Sequence, residues 1–336
     1  MKKDILQELK ENPFVLAPMA GITDHAFRSF MREMGAGIVI TELISATGLE
    51  YNSSKTLSLM SFGQDQHPVG IQLFGGDPEI MSKAAQLAES KGCDFVDINL
   101  GCPVPKVVKK GAGSALLKDL PQLKNLLRSV KSSISIPLTI KIRTGWDDNS
   151  KNATEVVQLA YDEGVTWVSI HGRTRAQGYS GKADWDLISE VKSKSPLPII
   201  GNGDLNTPQI AIERLKSSGC DGVMIGRGCL KNPFLFSQCQ ELLKTQTQSS
   251  EGHAFDAYMK LYKHLSLYCT PNILLLQLKK FAAWYSSGYS GASQFRKQVF
   301  QTHSVEEILE KAETFFKTVS YQEDTSQEDF LMGGHG

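Results

Sequence analysis

The chain reads as short apolar runs separated by longer stretches in which apolar residues return every three or four positions. Eight runs rich in β-branched and aromatic residues are predicted as strands, at 14–17, 37–41, 69–73, 95–98, 138–142, 167–170, 198–200 and 222–225. Between them the helical period predicts helices at 25–34, 78–91, 121–132, 153–163, 185–192 and 208–218. Several open on a helix-start signal, as at Asp77-Pro78, Asn152 and Thr207-Pro208. The crossover 43–62 is less regular, and its helix cannot be placed from the pattern. Near-continuous apolar strands alternating with helices are parallel β/α units, because strands covered on both faces lose the period-two alternation. Eight such units predict an α/β fold, a closed (β/α)8 TIM barrel, with a doubly wound open sheet as the alternative.

After residue 227 the pattern changes. From about residue 232 onward only helical periodicity remains. The polar stretch 246–252 reads as a linker. Leu261, Leu265 and Leu267 mark one apolar helix, and Ile273 to Leu278 with Phe281, Ala282 and Trp284 mark another. A last amphipathic helix is predicted at 305–319, with Glu306, Glu307 and Glu310 near its start, where the helix dipole favours acid. The expected organisation is a catalytic barrel at 1–235, an all-helical second domain at 253–320, and a tail at 321–336 that is acidic, then Gly-rich, and expected to be disordered.

Composition narrows the function only a little. Thirty-six basic residues balance 36 acidic ones, so a nucleic-acid partner would need basic residues concentrated locally. No apolar run approaches the roughly 20 residues of a membrane span, and no signal-type segment follows Met1-Lys2-Lys3-Asp4. A soluble cytoplasmic protein without a membrane partner is expected, with a monomer as the working assumption. The six cysteines (93, 102, 220, 229, 239 and 269) show neither a Cys-x-x-Cys pair nor metal-ligand spacing. They read as free thiols in a reducing compartment, and no metal site is expected.

The candidate chemistry lies where the strands end, since barrels of this class carry their sites at the carboxyl ends of the strands. Those positions hold Ala17-Pro18-Met19-Ala20-Gly21, Thr41-Glu42, Gln72, Asn99 with Cys102, Lys141 with Arg143, His171-Gly172-Arg173-Thr174, Asn202-Gly203-Asp204 and Gly226-Arg227-Gly228. Wet strand ends explain hydrophilic residues in general, but less well a lone Lys, a lone His and single amides directly after apolar runs. The last two loops fit a phosphate site, where glycines admit backbone N–H groups and Arg227 adds a charge-assisted contact. An ordinary glycine turn is the competing reading. Lys141 and His171 could stabilise an electron-rich ring such as a reduced flavin. The competing readings are a salt bridge from Lys141 to Glu42 or Asp97 and a packed core histidine. Cys102, thrown into a Gly-Cys-Pro turn, is either a reactive loop thiol or a small packing group.

Taken together, these pieces resemble the tRNA-dihydrouridine synthases and are most similar to the bacterial B-type group. The resemblance is carried by Ala17-Pro18-Met19-Ala20-Gly21-Ile22-Thr23-Asp24 with Phe27-Arg28, and by Asn99-Leu100-Gly101-Cys102-Pro103. It continues in Gly111-Ala112-Gly113-Ser114-Ala115-Leu116-Leu117, Lys141-Ile142-Arg143-Thr144-Gly145-Trp146 and His171-Gly172-Arg173-Thr174-Arg175. Asn202-Gly203-Asp204 and Met224-Ile225-Gly226-Arg227 complete the barrel part, and Phe295-Arg296 fits the helical part. One departure is Lys231-Asn232-Pro233-Phe234, where the family often has Gly-x-Pro-Trp.

The resemblance implies an FMN-bearing barrel that reduces uridine in tRNA to 5,6-dihydrouridine. Hydride would pass from reduced FMN to C6 and a proton from Cys102 to C5, with NADPH (or NADH) as reductant. A free thiol has a pKa near ~8.5, so it holds its proton at neutral pH and can be a general acid. By the same resemblance Pro18, Met19 and Ala20 line the flavin, and Gln72 bonds the isoalloxazine edge. Lys141 and His171 contact the ring or ribityl chain. Asn202, Gly203, Asp204, Gly226 and Arg227 hold the ribityl and phosphate end, while Asn99 and Arg173 face the uracil. The base would be extruded from the folded RNA into the barrel mouth. Residues 254–320 carry 8 basic and 5 acidic residues, a net of +3, and Lys279, Lys280, Arg296 and Lys297 are expected to hold the tRNA body. Lys106, Lys109 and Lys110, just after the Cys loop, are a second basic group. An FMN barrel acting on a free pyrimidine, a phosphate-binding barrel without redox chemistry, and a non-catalytic RNA-binding protein stand as alternatives.

Overall fold

Nine parallel strands form: β1 Phe14–Leu16, β2 Val39–Ile40, β3 Ile44–Ser45, β4 Val69–Phe74, β5 Phe95–Leu100, β6 Leu138–Arg143, β7 Val168–His171, β8 Ile199–Asn202 and β9 Gly222–Ile225. They are seen in a computed structural model that describes residues 4–51, 53–247 and 252–318. Hydrogen bonding runs β1-β9-β8-β7-β6-β5-β4-β2. A parallel bridge between Val15 and Ile38 joins the two ends of that path, with the Leu16 N–H on the Ile38 carbonyl at 2.9 Å. The sheet therefore closes into the expected barrel, and the open-sheet alternative falls.

The addition is β3, which continues the β2 stave along the upper half of β4. Ile40 pairs with Gly70 and Ile44 with Leu73, so four residue steps face three. That extra residue is a bulge, which breaks the strand, and Glu42 beside it accepts from the Gly21 N–H. It also explains why the pattern from 43 onward is hard to read. Among its described residues the crossover holds two short helices, Ala46–Glu50 and Ser54–Ser58, and neither is long enough to establish a period.

The six predicted helices form within a residue or two of their expected bounds. Asp77 accepts from the Glu79 and Ile80 N–H groups and Thr207 from that of Ile210, as their sequence positions suggest. Asn152 differs, because its side chain makes no cap bond and instead donates to the Leu117 carbonyl at 2.7 Å.

Alternation along the strands divides the interior into layers. Val15, Ile38, Ile40, Phe95, Trp167, Ile200 and Met224 fill the lower barrel. A side chain at Gly70 would collide with the Phe95 ring, so glycine there admits the aromatic. The helix Ile5–Glu11, not foreseen from the sequence, closes the floor with Ile5 and Leu9. The same inward alternation then turns polar, with Asp97 and Thr139 followed by Asn99, Lys141, His171 and Asn202. Asp97 and Thr139 lie in the first half of their strands, and the layer above them, Asn99, Lys141, His171 and Asn202, faces the carboxyl end.

After β9 the described residues contain helices only: Gly228–Lys231, Leu235–Thr245, Ala254–Tyr268, Pro271–Tyr285, Ala292–Phe300 and Val305–Thr318. The helix Ala254–Tyr268 packs along the barrel helix His25–Glu33, and Phe281 stacks on Phe27 at 5.2 Å. The main apolar core runs from the barrel into these helices without a break. Residues 248–251 of the expected linker and the tail 321–336 lie outside the described residues. Among the described residues no helix is long and apolar enough to cross a membrane, and no group of three or more His, Cys, Asp or Glu is placed to hold a metal.

Candidate active site

The Cys102 loop is built from the end of β5. Asn99 lies inside the strand, one position before its end, rather than after it. Its Oδ1 accepts from the Gly101 N–H at 3.2 Å and the Cys102 N–H at 2.9 Å, so the side chain caps the turn. Ser114 donates its hydroxyl to the Cys102 carbonyl at 2.9 Å, and Arg143 Nε donates to the Gly101 carbonyl at 2.8 Å. The loop is thus clamped from three sides. Burial pushes the thiol pKa up, opposed by the Val104 N–H and the Arg143 charge, so the sulfur keeps its proton at neutral pH.

A buried network lies beneath the loop. Asp97 accepts from Gln72 Nε2 at 2.7 Å and from Thr139 Oγ1 at 2.6 Å. Gln72 Oε1 in turn accepts from Asn99 Nδ2 at 2.9 Å. Burial pushes the Asp97 carboxyl up to about 6, against the Gln72 and Thr139 hydrogen bonds and the Lys141 charge. Lys141 reaches across the barrel to Asn202 Oδ1 at 3.1 Å, and the Asn202 amide is held by the Met224 carbonyl at 2.6 Å. Burial, reinforced by Arg143, pushes Lys141 down to about 8, while Asp97 acts the other way. Lys141 forms neither of the salt bridges that the sequence left open; its hydrogen-bond acceptor is Asn202.

The far side of the mouth is a cleft lined by Pro18, Met19, Lys141, His171, Arg173, Tyr179, Asn202, Gly203, Asp204, Gly226 and Arg227. His171 is held well below the ordinary histidine range by burial and then by Lys141, Arg143, Arg173 and Arg227, so it is neutral. Arg173 Nη1 lies 3.4 Å from His171 Nε2 and can only donate, which leaves the imidazole proton on Nδ1. Gly203 and Asp204 both take positive φ, +131° and +55°, and a non-glycine residue there is strained. Arg173 holds the strained loop with two bonds of 2.9 Å to the Asp204 carboxylate, and the Ala183 N–H adds a third at 2.7 Å.

Most of the expected residues meet at this one end, with four qualifications. Ala20 is exposed and lies outside the cleft lining. Arg173 was expected against a base, but its donors reach Asp204, His171 and the Ser180 and Gly181 carbonyls. All five guanidinium N–H groups are matched by these acceptors, and none is left for a base edge. Lys279 donates to the Phe300 carbonyl at 3.2 Å, and Lys280 to the Gly21 carbonyl at 3.0 Å. These two lysines are tied into the fold, so their charge pattern alone is a weak guide to RNA contacts. Lys106, Lys109, Lys110 and Lys297 are exposed.

Sequence reasoning missed Tyr179, whose ring has Arg227 at 4.5 Å and Arg143 at 5.7 Å. An aromatic residue between Gly178 and Gly181 in the loop after β7 was the available signal. Sequence reasoning named Asp97 only as a possible salt-bridge partner of Lys141, and its hydrogen bonds to Gln72 and Thr139 were not foreseen.

A family model described as dihydrouridine synthase matches residues 15–320. A curated protein of Rickettsia conorii, named "Probable tRNA-dihydrouridine synthase", is 36% identical over 316 residues, covering 93% of this chain and 95% of its own. tRNA-dihydrouridine synthase B of Pseudomonas syringae pv. tomato is 34% identical over 308 residues, 91% of each chain. Among solved structures, 6-hydroxypseudooxynicotine amine oxidase of Pseudomonas geniculata matches 77% of this chain with a TM-score of 0.56 at 15% identity. This chain spans 53% of that longer one, and the likeness is one of fold.

Proposed function

Because the chain belongs to the dihydrouridine synthase family, we propose that it reduces selected uridines of tRNA to 5,6-dihydrouridine, with FMN as its resident cofactor and NADPH or NADH as reductant. The observation that carries this reading is a proton-holding thiol at the end of β5 beside a cation-lined cleft that opens over β6 to β9.

The cleft's donor set fits FMN. Beyond burial, Lys141, Arg143, Arg173 and Arg227 all act to depress His171, and this cluster of cations favours an anionic occupant. One end offers Arg227 with the glycine loops 203 and 226, which suits a single phosphate, and strand one carries no Gly-x-Gly-x-x-Gly loop for a dinucleotide. When bound, FMN supplies the hydride equivalent for C6 of the uracil.

The chain's own residues do the rest. Lys141, a buried ammonium, and the neutral His171 stabilise negative charge at the ring. Gln72 and Asn99 retain one amide hydrogen each beyond the bonds described above, which suits a carbonyl of the ring or of the base. Arg173 holds the Asp204 loop in shape. Cys102, the proton-holding thiol at the end of β5, would give its proton to C5 of the base.

Two measurements test this. Heat-denatured protein should release FMN in near one-to-one ratio, and tRNA from a strain lacking the gene should lose dihydrouridine at defined positions by mass spectrometry. Stoichiometric FAD, or an unchanged dihydrouridine map, would overturn the assignment.

The exposed Lys106, Lys109 and Lys110 follow the Cys102 loop directly, which suits phosphates flanking an extruded base. The helical region 253–320 is assigned the tRNA body. Removing one lysine–phosphate pairing should lower the salt slope of binding by about 1. A triple Lys→Glu variant of these residues is therefore expected to bind tRNA more weakly, with a slope smaller by about 3, while keeping its FMN. Superimposable salt titrations for variant and wild type would reassign the three lysines to a solvated face.

A further inference from the structure

We propose that Asp97 is a positioning residue for Cys102, fixing the donor-to-acceptor direction of a hydrogen-bond chain that runs through Gln72 and Asn99 to the thiol's own backbone N–H. This deepens the reading of Cys102 as proton donor and rests on it.

The argument is one of polarity. An ionised carboxylate only accepts. Asp97 is fully buried, with Thr139 on one oxygen and Gln72 on the other. Gln72 must therefore turn its NH2 toward Asp97 and its carbonyl toward Asn99. Asn99 must answer with its NH2, which leaves its carbonyl for the Gly101 and Cys102 N–H groups. Reversing the amides would set NH2 against two backbone N–H groups, donor against donor, and the turn would lose its cap. Gln72 could reverse if nothing stood beyond it; Asp97 forbids that. Asp97 itself touches neither the thiol nor the cleft, so its effect passes through two amides.

The direction argument separates two substitutions. Asp97→Asn can still offer its carbonyl to Gln72 while its NH2 faces the Thr139 hydroxyl, which also accepts. Asp97→Leu removes the acceptor and strands a buried amide donor. The readout is the alkylation rate of Cys102 by iodoacetamide at fixed pH, resolved by peptide mass spectrometry. The half-buried Cys269 in the helical region serves as internal reference. Loss of a buried hydrogen bond to a charged group should favour loop opening, so Asp97→Leu is expected to raise the Cys102 rate by about tenfold or more, with Cys269 unchanged. Asp97→Asn should stay within about twofold of wild type, because the bonding direction survives. In the same series kcat for dihydrouridine formation should fall in Asp97→Leu while the KM for tRNA holds.

If Asp97→Leu does not fold, Gln72→Met breaks the chain in the middle with Asp97 intact, and the same acceleration is expected. A folded Asp97→Leu or Gln72→Met protein with wild-type Cys102 reactivity would overturn the proposal. So would an Asp97→Asn rate equal to that of Asp97→Leu, since charge and not direction would then matter. A wild-type protein that makes no dihydrouridine removes the functional reading instead, and leaves the alkylation comparison in force.

Discussion

Cys102→Ala is expected to fold, to keep its flavin, and to lose about 10²- to 10⁴-fold of its dihydrouridine formation, the range for a removed general acid. Folding should survive because the loop is clamped through its backbone, by the Asn99 carbonyl, the Ser114 hydroxyl and the Arg143 guanidinium. None of these contacts uses the sulfur. The loss should be confined to the step that protonates C5, so added NADPH should still reduce the bound flavin in a single turnover. Burial holds the thiol pKa above its ordinary value, so the proton is present throughout the neutral range. Single-turnover reduction of tRNA, followed by mass spectrometry, measures the effect. A variant that reduces tRNA at the wild-type rate would return Cys102 to a packing role.

Lys141→Met should cost about 10²- to 10³-fold in the same assay, by analogy with removing one preorganised donor from a site of developing negative charge. The wild-type pH profile should show the same group. Burial pushes Lys141 down to about 8. Below that pH the group is an ammonium, and above it the charge is gone. Activity that depends on the cation therefore falls as pH rises through about 8, before a thiol of raised pKa gives up its proton. In Lys141→Met this alkaline limb should vanish along with most of the rate. The chain should still fold, since burial already disfavours the charged form that is lost. A variant with wild-type rate and an unaltered alkaline limb would remove Lys141 from the chemistry.

Parallel barrels make part of their sites legible, because polar residues that follow apolar runs gather at one end. Lys141, His171, Asn202 and Arg227 could be found this way without knowing any contact between them. The role of Arg173 could not, since its carboxylate partner lies 31 positions away on the next strand's loop. The role of Asp97 was hidden for a related reason. Its importance lies in the order of donors and acceptors through Gln72 and Asn99, which no spacing encodes. The β3 bulge was lost because one extra residue shifts the alternation by one. Lys279 and Lys280 show a different limit, because the sequence displays the basic pair but not that the backbone carbonyls at Phe300, Thr302 and Gly21 already accept from these ammonium groups. Charge along a sequence does not reveal which charges the fold has already used.

The closed floor has a kinetic consequence. Ile5 and Leu9 seal the lower end, and Phe95, Trp167 and Met224 fill the space above them. Nothing can reach the interior from below, so arrivals and departures share the upper opening. On the proposed reading a nicotinamide ring and a uracil would then share one doorway, and where both need the same face of the cofactor they would visit it in turn. On that reading the cycle would divide into two half-reactions joined by the bound flavin. An excess of either visitor would delay the other, and the ratio of reductant to unmodified tRNA would set the pace as much as either concentration alone.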